Sequence, residues 1–280
     1  MRLPQPDDEG DKEERGRVLV VGGAREMPGA VILAATAALR AGAGKLQIAT
    51  ARSIAPLVAM SIPEARVFAL PETRAGAIHI SAAALLSGRA ESAQAVVVGP
   101  GMLDEEAVSR LLKRLLARIT KTAFVVDAGA LASLADDETL LHSLGGRAVI
   151  TPHAGEMSRI TGISKDTIER DPFAHALLAA KRYRAVVALK GRETIIAAPG
   201  GETYCNRAGN VGLATSGSGD VLSGLIAGLA ARGATPLQAA VWGVHLHARA
   251  GDRLAQTIGP LGYLARELLN EIPALMSQLN

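Results

Sequence analysis

Residues 17–50 read RVLVVGGAREMPGAVILAATAALRAGAGKLQIAT, and this stretch decides the fold class. The apolar run VLVV near its start is of the kind found in buried strands. A helix is predicted over residues 28–40, and the proline at its start is compatible with the first helical turn. Glycines end that helix, and residues 45–50 form the next strand. Strand, helix and strand in this order predict a βαβ unit, whose two strands pair in parallel.

The same alternation continues along the chain. Further strands are predicted at residues 65–70, 95–98, 123–127, 148–151, 185–190, 194–198 and 202–205. Further helices are predicted at residues 81–86, 104–119, 166–182, 220–231, 236–255 and 262–276. Short turns at residues 191–193 and 199–201 join the last three strands as hairpins, so the sheet gains antiparallel strands late. We expect one three-layer α/β domain over residues 17–280, with a mostly parallel central sheet flanked by helices.

The composition limits the class of protein. Of the 280 residues 49% are hydrophobic but only 2% are aromatic, so the core should be aliphatic. The single cysteine, Cys205, excludes an internal disulfide framework and a thiolate metal cluster. A net charge of +3 is small for this length and gives no basis for a nucleic-acid partner.

The amino-terminal sequence bears on location. It is acidic and polar, unlike a secretory signal, and no apolar run in the chain approaches the ~20 residues of a membrane span. We therefore expect a cytoplasmic protein without a membrane partner. Residues 1–16 combine six acidic residues with two prolines and show no periodicity. They are predicted to form a disordered or loosely attached leader.

Residues 216–220 read SGSGD and precede an apolar run long enough for a buried helix. Small residues at a helix start let a ligand reach backbone N–H groups that the first turn leaves unpaired. Those groups, together with the positive end of the helix dipole, favour a phosphate. Two interpretations of Asp220 remain open from this stretch alone. It is either an ordinary residue of a first helical turn, where Asp is favoured, or a general base.

Polar residues and glycines also follow several strands. Residues 99–101 read GPG, which either lets the backbone approach a ligand or merely turns the chain. Asp127 ends the next strand, where an acid is often a helix cap. Carboxyl ends of parallel strands lie at one edge of a sheet, where open α/β sheets bind ligands. These residues are therefore candidates for a site at that edge.

Two later turns are more specific. Residues 151–156 read TPHAGE and place His153 and Glu156 in one strand-to-helix turn. This is either a capping motif around a surface histidine, or a substrate-binding histidine beside a carboxylate that holds Mg²⁺ through water. Residues 190–194 read KGRET. Their cations are either solvated charges of a hairpin or charge-assisted donors to nucleotide phosphates.

Two histidines and an aspartate lie in a late apolar helix. His245 and His247 are two residues apart and so face different sides of the helix, which excludes a metal pair on one face. We expect one of them to face the core and the other to pack against it or against residues of the site. Asp252, further along, is interpreted as structural.

These motifs, in this order, resemble those of the ADP/ATP-dependent NAD(P)H-hydrate dehydratases of the ribokinase-like superfamily. The resemblance extends from about residue 17 to residue 252. It rests on GPG at 99–101, Asp127 with AL at 130–131, TPHAGE at 151–156, KG at 190–191, Asn206 with GN at 209–210, and SGSGD at 216–220. This family repairs hydrated NADH and NADPH, in which water has added across a double bond of the nicotinamide ring.

The resemblance implies a ribokinase-like fold and a lyase reaction on the S epimer of the hydrated substrates. ADP or ATP would phosphorylate the ring hydroxyl, and phosphate would then be eliminated. Mg²⁺ would accompany the nucleotide, and the protein would form a homo-oligomer, by family resemblance a tetramer. The chain has no room for the epimerase domain that some relatives carry in front, so a stand-alone dehydratase is expected.

The resemblance also implies roles for individual residues. Asp220 would be the catalytic general base. The hydrated nicotinamide would be bound by Ala43, Gly101, His153 and Asp220. The adenine nucleotide would be held by Lys190, Gly191, Arg192, Glu193, Thr194 and Gly219. An anion hole for the transferring phosphoryl group would be formed by the N–H groups of Gly217, Ser218 and Gly219. Glu156 would reach Mg²⁺ through water.

The chain departs from the family pattern at several positions. Leu103 stands where a glycine is common, Gly129 where a second acid is usual, and Ala154 where a proline is usual. Two other functions therefore stay open at this point. One is a ribokinase-like kinase acting on a small alcohol such as a vitamin precursor, and the other is a nucleotide-binding sensor without turnover.

Overall fold

A computed structural model describes residues 2–5 and 11–279 of the protein. Its strands are β1 (Arg17–Val21), β2 (Lys45–Ala51), β3 (Ala65–Leu70), β4 (Ala95–Val98), β5 (Ala123–Val126), β6 (Ala148–Ile150), β7 (Val186–Leu189), β8 (Thr194–Ala197) and β9 (Thr203–Asn206). Each of these strands was predicted from the sequence. They form one sheet in the order β3-β2-β1-β4-β5-β6-β7-β8-β9.

The pairing confirms the predicted mixture of directions. Strands β1 to β7 pair with one another in parallel, whereas β8 is antiparallel to β7 and β9 is antiparallel to β8. Strands β2 and β3 lie on one side of β1, and β4 pairs with β1 on its other side. The strand order thus reverses between β1 and β4, and ligands of open α/β sheets bind at the carboxyl ends of strands beside such a reversal.

The described helices are α1 (Pro28–Arg40), α2 (Ala55–Ser61), α3 (Ala82–Glu91), α4 (Glu105–Leu116), α5 (Ser133–Asp136), α6 (Ala154–Thr161), α7 (Lys165–Arg170), α8 (Pro172–Tyr183), α9 (Ser218–Ala231), α10 (Pro236–Thr257) and α11 (Ala265–Met276). The single helix expected at residues 166–182 is two helices, α7 and α8. They are separated at Asp171, whose side chain caps the second helix by accepting from the Ala174 N–H at 3.0 Å. Helices α2 and α5 were not predicted, and α6 was predicted only by its start, at the strand-to-helix turn of residues 151–156.

The helices lie on both faces of the sheet, which confirms the three-layer architecture. Helices α1, α9, α10 and α11 pack together on one face, and helices α3 to α8 cover the other. The core between the layers consists of valine, leucine, isoleucine and alanine with few aromatic rings, as the composition predicts. Its largest fully buried side chains are Tyr183, Tyr263 and Phe124. The Tyr183 hydroxyl donates to the Ile160 carbonyl at 2.7 Å, so this buried polar group is satisfied.

Parts of the predicted leader are described, and they contact the domain at the amino ends of the strands. Leu3 is only 9% exposed and belongs to the core cluster. Arg232, at the end of α9, donates to the carbonyls of Pro4 and Ala41. Residues 1 and 6–10 of the leader lie outside the described residues. Among the described helices, none combines the length and the apolar character that a bilayer crossing requires.

Candidate active site

Two loops meet where the strand order reverses. Gly23 follows β1, and its N–H donates at 2.7 Å to the carbonyl of Pro100, which follows β4. Gly101 adopts a φ of 67°, and a Cβ at this position would lie 2.6 Å from the Met27 carbonyl oxygen. Glycine is therefore required here both by the backbone conformation and by the space available. At the GPG turn the loops that follow β1 and β4 are in close contact. The turn also lines a cavity beside the start of α1.

Asp127, at the end of β5, is a buried carboxylate rather than a helix cap. Its side chain is 2% exposed, and Oδ1 accepts from the Thr151 hydroxyl at 2.7 Å. The same oxygen lies 3.5 Å from Nζ of Lys190, which follows β7. No cap hydrogen bond is made by Asp127 to the turn that follows it. The next residue, Ala128, has a φ of 48°, which is uncommon for a residue other than glycine.

Lys190 joins three strand ends through its ammonium group. Besides Asp127, its Nζ lies 3.6 Å from Oε2 of Glu156. Burial lowers the pKa of Lys190, but the two carboxylates outweigh that effect and raise the pKa above its ordinary value. Lys190 is therefore a fixed cation at neutral pH. A Cβ placed on Gly219 would lie 3.5 Å from this Nζ, so the ammonium sits directly above the start of α9.

The start of α9 has the geometry of an anion site. Gly217 precedes the helix with a φ of 88°, a conformation that favours glycine. The N–H groups of Gly217, Gly219 and Asp220 make no intramolecular hydrogen bond to any described residue. The Ser218 N–H differs from the anion-hole prediction, because it donates to the Thr215 carbonyl at 3.2 Å. The amides open to a phosphate are thus those of Gly217, Gly219 and Asp220, next to the helix dipole.

Asp220 lies in the first turn of α9, half-buried and near two charged groups. Burial raises its pKa to about 7, the Asp127 carboxylate adds to the rise, and Lys190 opposes it. A carboxyl that titrates near neutrality can take a proton from an alcohol more readily than an ordinary surface aspartate can. This perturbation separates the two interpretations of Asp220 and favours the general base.

His153 and Glu156 form a reciprocal capping box at the start of α6. Nδ1 of His153 accepts from the N–H groups of Gly155 and Glu156, and the Glu156 carboxylate accepts from the His153 N–H at 2.7 Å. The structural interpretation of this motif is therefore correct. It does not exclude the functional one, since the His153 side chain is 58% exposed, with Nε2 lying 3.6 Å from Glu156 Oε2.

His247, in α10, lies within hydrogen-bond distance of Ser218, the first residue of α9. Its Nε2 lies 3.0 Å from both the hydroxyl and the carbonyl oxygen of Ser218. Burial lowers the pKa of His247 to about 4, the hydrogen bond to Ser218 opposes the shift, and Lys190 adds to it. The imidazole is therefore neutral at pH 7. His247 is the core-facing member of the histidine pair, whereas the His245 ring packs edge-on against Trp242.

Three cavities open along the carboxyl edge of the sheet. The first, of about 310 Å³, lies beside the strand reversal and is lined by residues that include Gly101, Ala128 and Glu156. The second, of about 800 Å³, lies toward α10 and is lined by residues that include Lys190, Gly191, Arg192, Thr194, Ser218, Gly219 and His247. The third, of about 580 Å³, lies toward α7 and α8. The second and the third cavity share four lining residues, His153, Lys190, Gly191 and Arg192.

Most of the predicted nucleotide residues therefore share one cavity, but Glu193 does not. Lys190, Gly191, Arg192, Thr194 and Gly219 all line the cavity of about 800 Å³. Glu193 lines the third cavity, and its carboxylate accepts from Arg207 at 3.2 Å and from Cys205 at 3.3 Å. Its side chain is held toward β9, so the described contacts do not support a nucleotide contact from it.

Ala43 is a correction to the predicted substrate site. It precedes β2 and so lies at the amino ends of the strands, whereas the loops that carry Gly101 and His153 follow the carboxyl ends. Ala43 is also 5% exposed. A residue on the opposite edge of the sheet cannot contact the same ligand. Near Gly101 the structure places Met27 and Ala30 instead, at the start of α1.

Three functional candidates were missed or underrated from the sequence. Asp127 was interpreted as a helix cap or a site candidate without a partner, and Thr151 and His247 were not placed near Asp220. The available signal was the position of Asp127 and Lys190, each directly after a buried parallel strand. Gly129, where the family has an acid, also has a packing reason, because a Cβ there would lie 2.0 Å from the Met102 carbonyl oxygen.

A sequence model of the NAD(P)H-hydrate dehydratase family matches residues 18–274. The ADP-dependent (S)-NAD(P)H-hydrate dehydratase of Xanthomonas campestris is 48% identical over 276 residues, which cover 99% of this chain and 93% of that protein. The bifunctional NAD(P)H-hydrate repair enzyme Nnr of Moorella thermoacetica is 43% identical over 278 residues, and the chain spans 52% of that longer protein.

A solved structure agrees with these relatives. The ADP/ATP-dependent NAD(P)H-hydrate dehydratase from Bacillus subtilis, co-crystallised with ATP and Mg²⁺, matches with a TM-score of 0.88 at 31% identity. The match covers 100% of this chain and 95% of that one. The ribokinase-like fold is thereby confirmed. Because the family model spans nearly the whole chain and relatives of high identity share its length, the chain belongs to the NAD(P)H-hydrate dehydratase family.

Proposed function

We propose that the protein dehydrates the S epimers of hydrated NADH and NADPH, using ADP or ATP as phosphoryl donor. The observation that carries this proposal is the carboxyl of Asp220, with a pKa of about 7, beside three open amides and the ammonium of Lys190. A base, an anion hole and a cation in this arrangement are what transfer of a phosphoryl group to an alcohol requires. The named relatives supply the substrate class.

In the first step Asp220 takes the proton of the ring hydroxyl while the hydroxyl oxygen attacks the terminal phosphorus of the donor. The bond from phosphorus to the bridging oxygen breaks, leaving AMP from ADP or ADP from ATP. Charge on the transferring group is stabilised by the N–H groups of Gly217 and Gly219 and by Lys190. Loss of phosphate together with a proton from the neighbouring ring carbon then restores the double bond.

The supporting residues hold this arrangement rigid. Asp127 is buried and fixed by Thr151, so it positions Lys190 above the start of α9. His247 fixes Ser218 at the first residue of the same helix. His153 lines the nucleotide cavity with an exposed side chain, whose Nε2 can hydrogen-bond the hydrated nicotinamide. We also propose Gly101, in the first cavity, as a backbone contact to that ring.

Mg²⁺ fits this site as a companion of the nucleotide. Among the described residues there is no group of three or more histidine, cysteine or carboxylate side chains that could hold a metal by itself. Mg²⁺ commonly keeps several waters and binds through substrate phosphates with one or two carboxylates, and there it neutralises developing charge. Glu156 can provide such a carboxylate through water, because only its Oε2 is engaged by described residues.

The test is an assay with purified protein, hydrated NADH, Mg²⁺ and either ADP or ATP. We expect the ultraviolet absorbance of NADH to return and one phosphate to be released per NADH. The control is Asp220→Asn, which should lose roughly 10²–10⁴ in rate while retaining nucleotide binding. A stable phosphorylated product without return of NADH would instead indicate a kinase. Absence of turnover with both donors would contradict the proposal.

We further propose that the enzyme works in the cytoplasm as a homo-oligomer, a tetramer by family resemblance. Exposed apolar side chains support an interface between copies: Val211 is 66% exposed, Leu261 68% and Leu264 44%. They belong to neighbouring loops, since a Cβ on Gly212 would lie 2.6 Å from the Pro260 carbonyl oxygen. Leu261→Asp should lower the molar mass measured by light scattering, whereas an unchanged mass would place the interface elsewhere.

A further inference from the structure

The proposed reaction brings together two ligands with three bulky parts. These parts are the hydrated nicotinamide with its ribose, the adenosine half of the same dinucleotide, and the adenosine of the phosphoryl donor. Three cavities line the carboxyl edge of the sheet. The cavity of about 310 Å³ and the cavity of about 800 Å³ have been accounted for above. The cavity of about 580 Å³ toward α7 and α8, called here the α7 cavity, has no role yet.

The α7 cavity is suited to a nucleoside. Its floor is apolar, formed by Ile168, Leu189 and Pro172, of which Ile168 and Leu189 are buried. An apolar floor of this kind can cover the face of a purine ring. Its rim carries Lys165 and Glu169, which lie 3.5 Å apart and are more than half exposed. These side chains offer a donor and an acceptor to ribose hydroxyls or a cation to a phosphate.

One end of the α7 cavity adjoins the nucleotide cavity. Four residues border both this cavity and the nucleotide cavity, so the two meet there: His153, Lys190, Gly191 and Arg192. Glu156 lines the first cavity and lies 3.6 Å from both His153 Nε2 and Lys190 Nζ. A ligand that starts at Gly101 can therefore pass Glu156 and His153 and end over α7.

The nucleotide cavity, and not the α7 cavity, gives the donor nucleotide direct access to the start of α9. The terminal phosphate of the donor must reach the open amides at the start of α9. Ser218 and Gly219, which form that start, line the nucleotide cavity and not the α7 cavity. The donor therefore belongs on the α10 side of Lys190. This leaves the α7 side free for the second ligand.

We propose that the α7 cavity binds the adenosine half of the hydrated dinucleotide, with Lys165 near its phosphates. This inference rests on the proposed function, since it assigns a subsite to the same substrate. It makes Lys165 and the α7 segment determinants of substrate affinity that take no part in the chemistry. A substrate lacking the adenosine half would then bind without the α7 cavity.

The test compares two substrates in matched variants. The substrates are hydrated NADH and hydrated reduced nicotinamide mononucleotide, which lacks adenosine. Lys165→Glu reverses the charge on the rim of the cavity. The control is Lys181→Glu, at the far end of α8 and not among the cavity residues. Both lysines lie on the surface, so neither exchange buries a charge.

We expect Lys165→Glu to raise KM for hydrated NADH by about tenfold, the effect of losing one charge-assisted contact to the dinucleotide. KM for the mononucleotide and for ADP should stay unchanged, and Lys181→Glu should match the wild type throughout. A second variant, Ala154→Leu, adds volume at a half-buried residue that lines the cavity, and should show the same selective loss.

Each other outcome overturns the inference. A rise in KM for ADP would place the donor in the α7 cavity, and equal changes for both substrates would show that adenosine is not bound there. Unchanged KM values in both variants would show that the cavity is not used. If the wild type dehydrates both substrates in each of these cases, the proposed function stands. If it dehydrates neither, the proposed function fails, and this inference fails with it.

Discussion

At the scale of single residues, the surroundings of Asp220 change the pKa of its carboxyl. Burial raises its pKa to about 7, Asp127 adds to the rise, and Lys190 opposes it. Only the carboxylate can accept a proton, so kcat/KM should fall about tenfold for each pH unit below about 7. We expect this acid limb in a pH profile of kcat/KM with hydrated NADH and ADP.

Asp127→Asn provides the control for that profile. Removing this neighbouring negative charge lowers the pKa of Asp220, so the acid limb should move to lower pH even if kcat also falls. A limb that stays near pH 7 in Asp127→Asn would show that the titrating group is not coupled to Asp127. Loss of the limb in Asp220→Asn would confirm the identity of the group.

The same pKa predicts a cost in stability. The folded state holds a proton on Asp220 between about pH 4 and 7 that the unfolded state has lost, so stability falls as pH rises through this window. A shift of about three units corresponds to at most about 4 kcal/mol, and partial exposure reduces it. We expect Asp220→Asn to be more stable than the wild type in urea at pH 8 and equal to it near pH 4. A variant less stable at pH 8 would contradict this linkage.

At the scale of elements, the position of Asp220 depends on the close contact between α9 and α1. A Cβ on Gly224 would lie 2.1 Å from the Ala34 carbonyl oxygen. Gly224→Ala must therefore push the helices apart, at a cost of about 1–3 kcal/mol. Because α9 carries the base and the open amides, the activity should fall as well. Thermal unfolding and the dehydratase assay measure the two effects.

Gly88→Ala is the matched control for this exchange. Gly88 lies in the middle of α3, and a Cβ there would meet nothing within 4 Å. Alanine is the better helix former by roughly 1 kcal/mol, so this variant should be slightly more stable than the wild type and fully active. Equal losses in Gly88→Ala and Gly224→Ala would show that helix packing is not the cause.

The elements themselves could be predicted well where the chain is periodic or fully apolar. All nine strands and the long helices α1, α4, α9 and α10 follow from buried runs, caps and glycine breaks. Helices α2 and α5 are short, at seven and four residues, and so show little periodicity. The start of α6 was predicted from the strand-to-helix turn TPHAGE, but the length of the helix was not. A capping box predicts a helix after it, and that signal was present in the sequence.

At the scale of the whole molecule, the site could be predicted only in part, because it is assembled by sheet order. Lys190 and Asp220 were candidates from their own motifs, and the resemblance gave them roles. The ion pair between Asp127 and Lys190 needs β5, β6 and β7 to be neighbours. The role of Ala43 was implied by motif position alone, which does not give the edge of the sheet at which a residue lies. Sequence spacing does not give that edge until the strand order is known.

Contacts that stabilise the fold at the amino edge of the sheet lie apart from the catalytic loops at its carboxyl edge. Leu3 packs into the core at the amino edge, where Arg232 ties the neighbouring Pro4 to the end of α1. We expect Leu3→Ala to lower the free energy of unfolding by about 1–3 kcal/mol, below a full core loss because a terminal segment can detach. Leu57→Ala, at a position 62% exposed, is the control and should cost little. Neither exchange should change kcat or KM, since the catalytic loops lie at the carboxyl edge. A fall in kcat for Leu3→Ala alone would mean that the amino edge is coupled to the start of α9 through Arg232, and the two edges would then have to be treated as one unit.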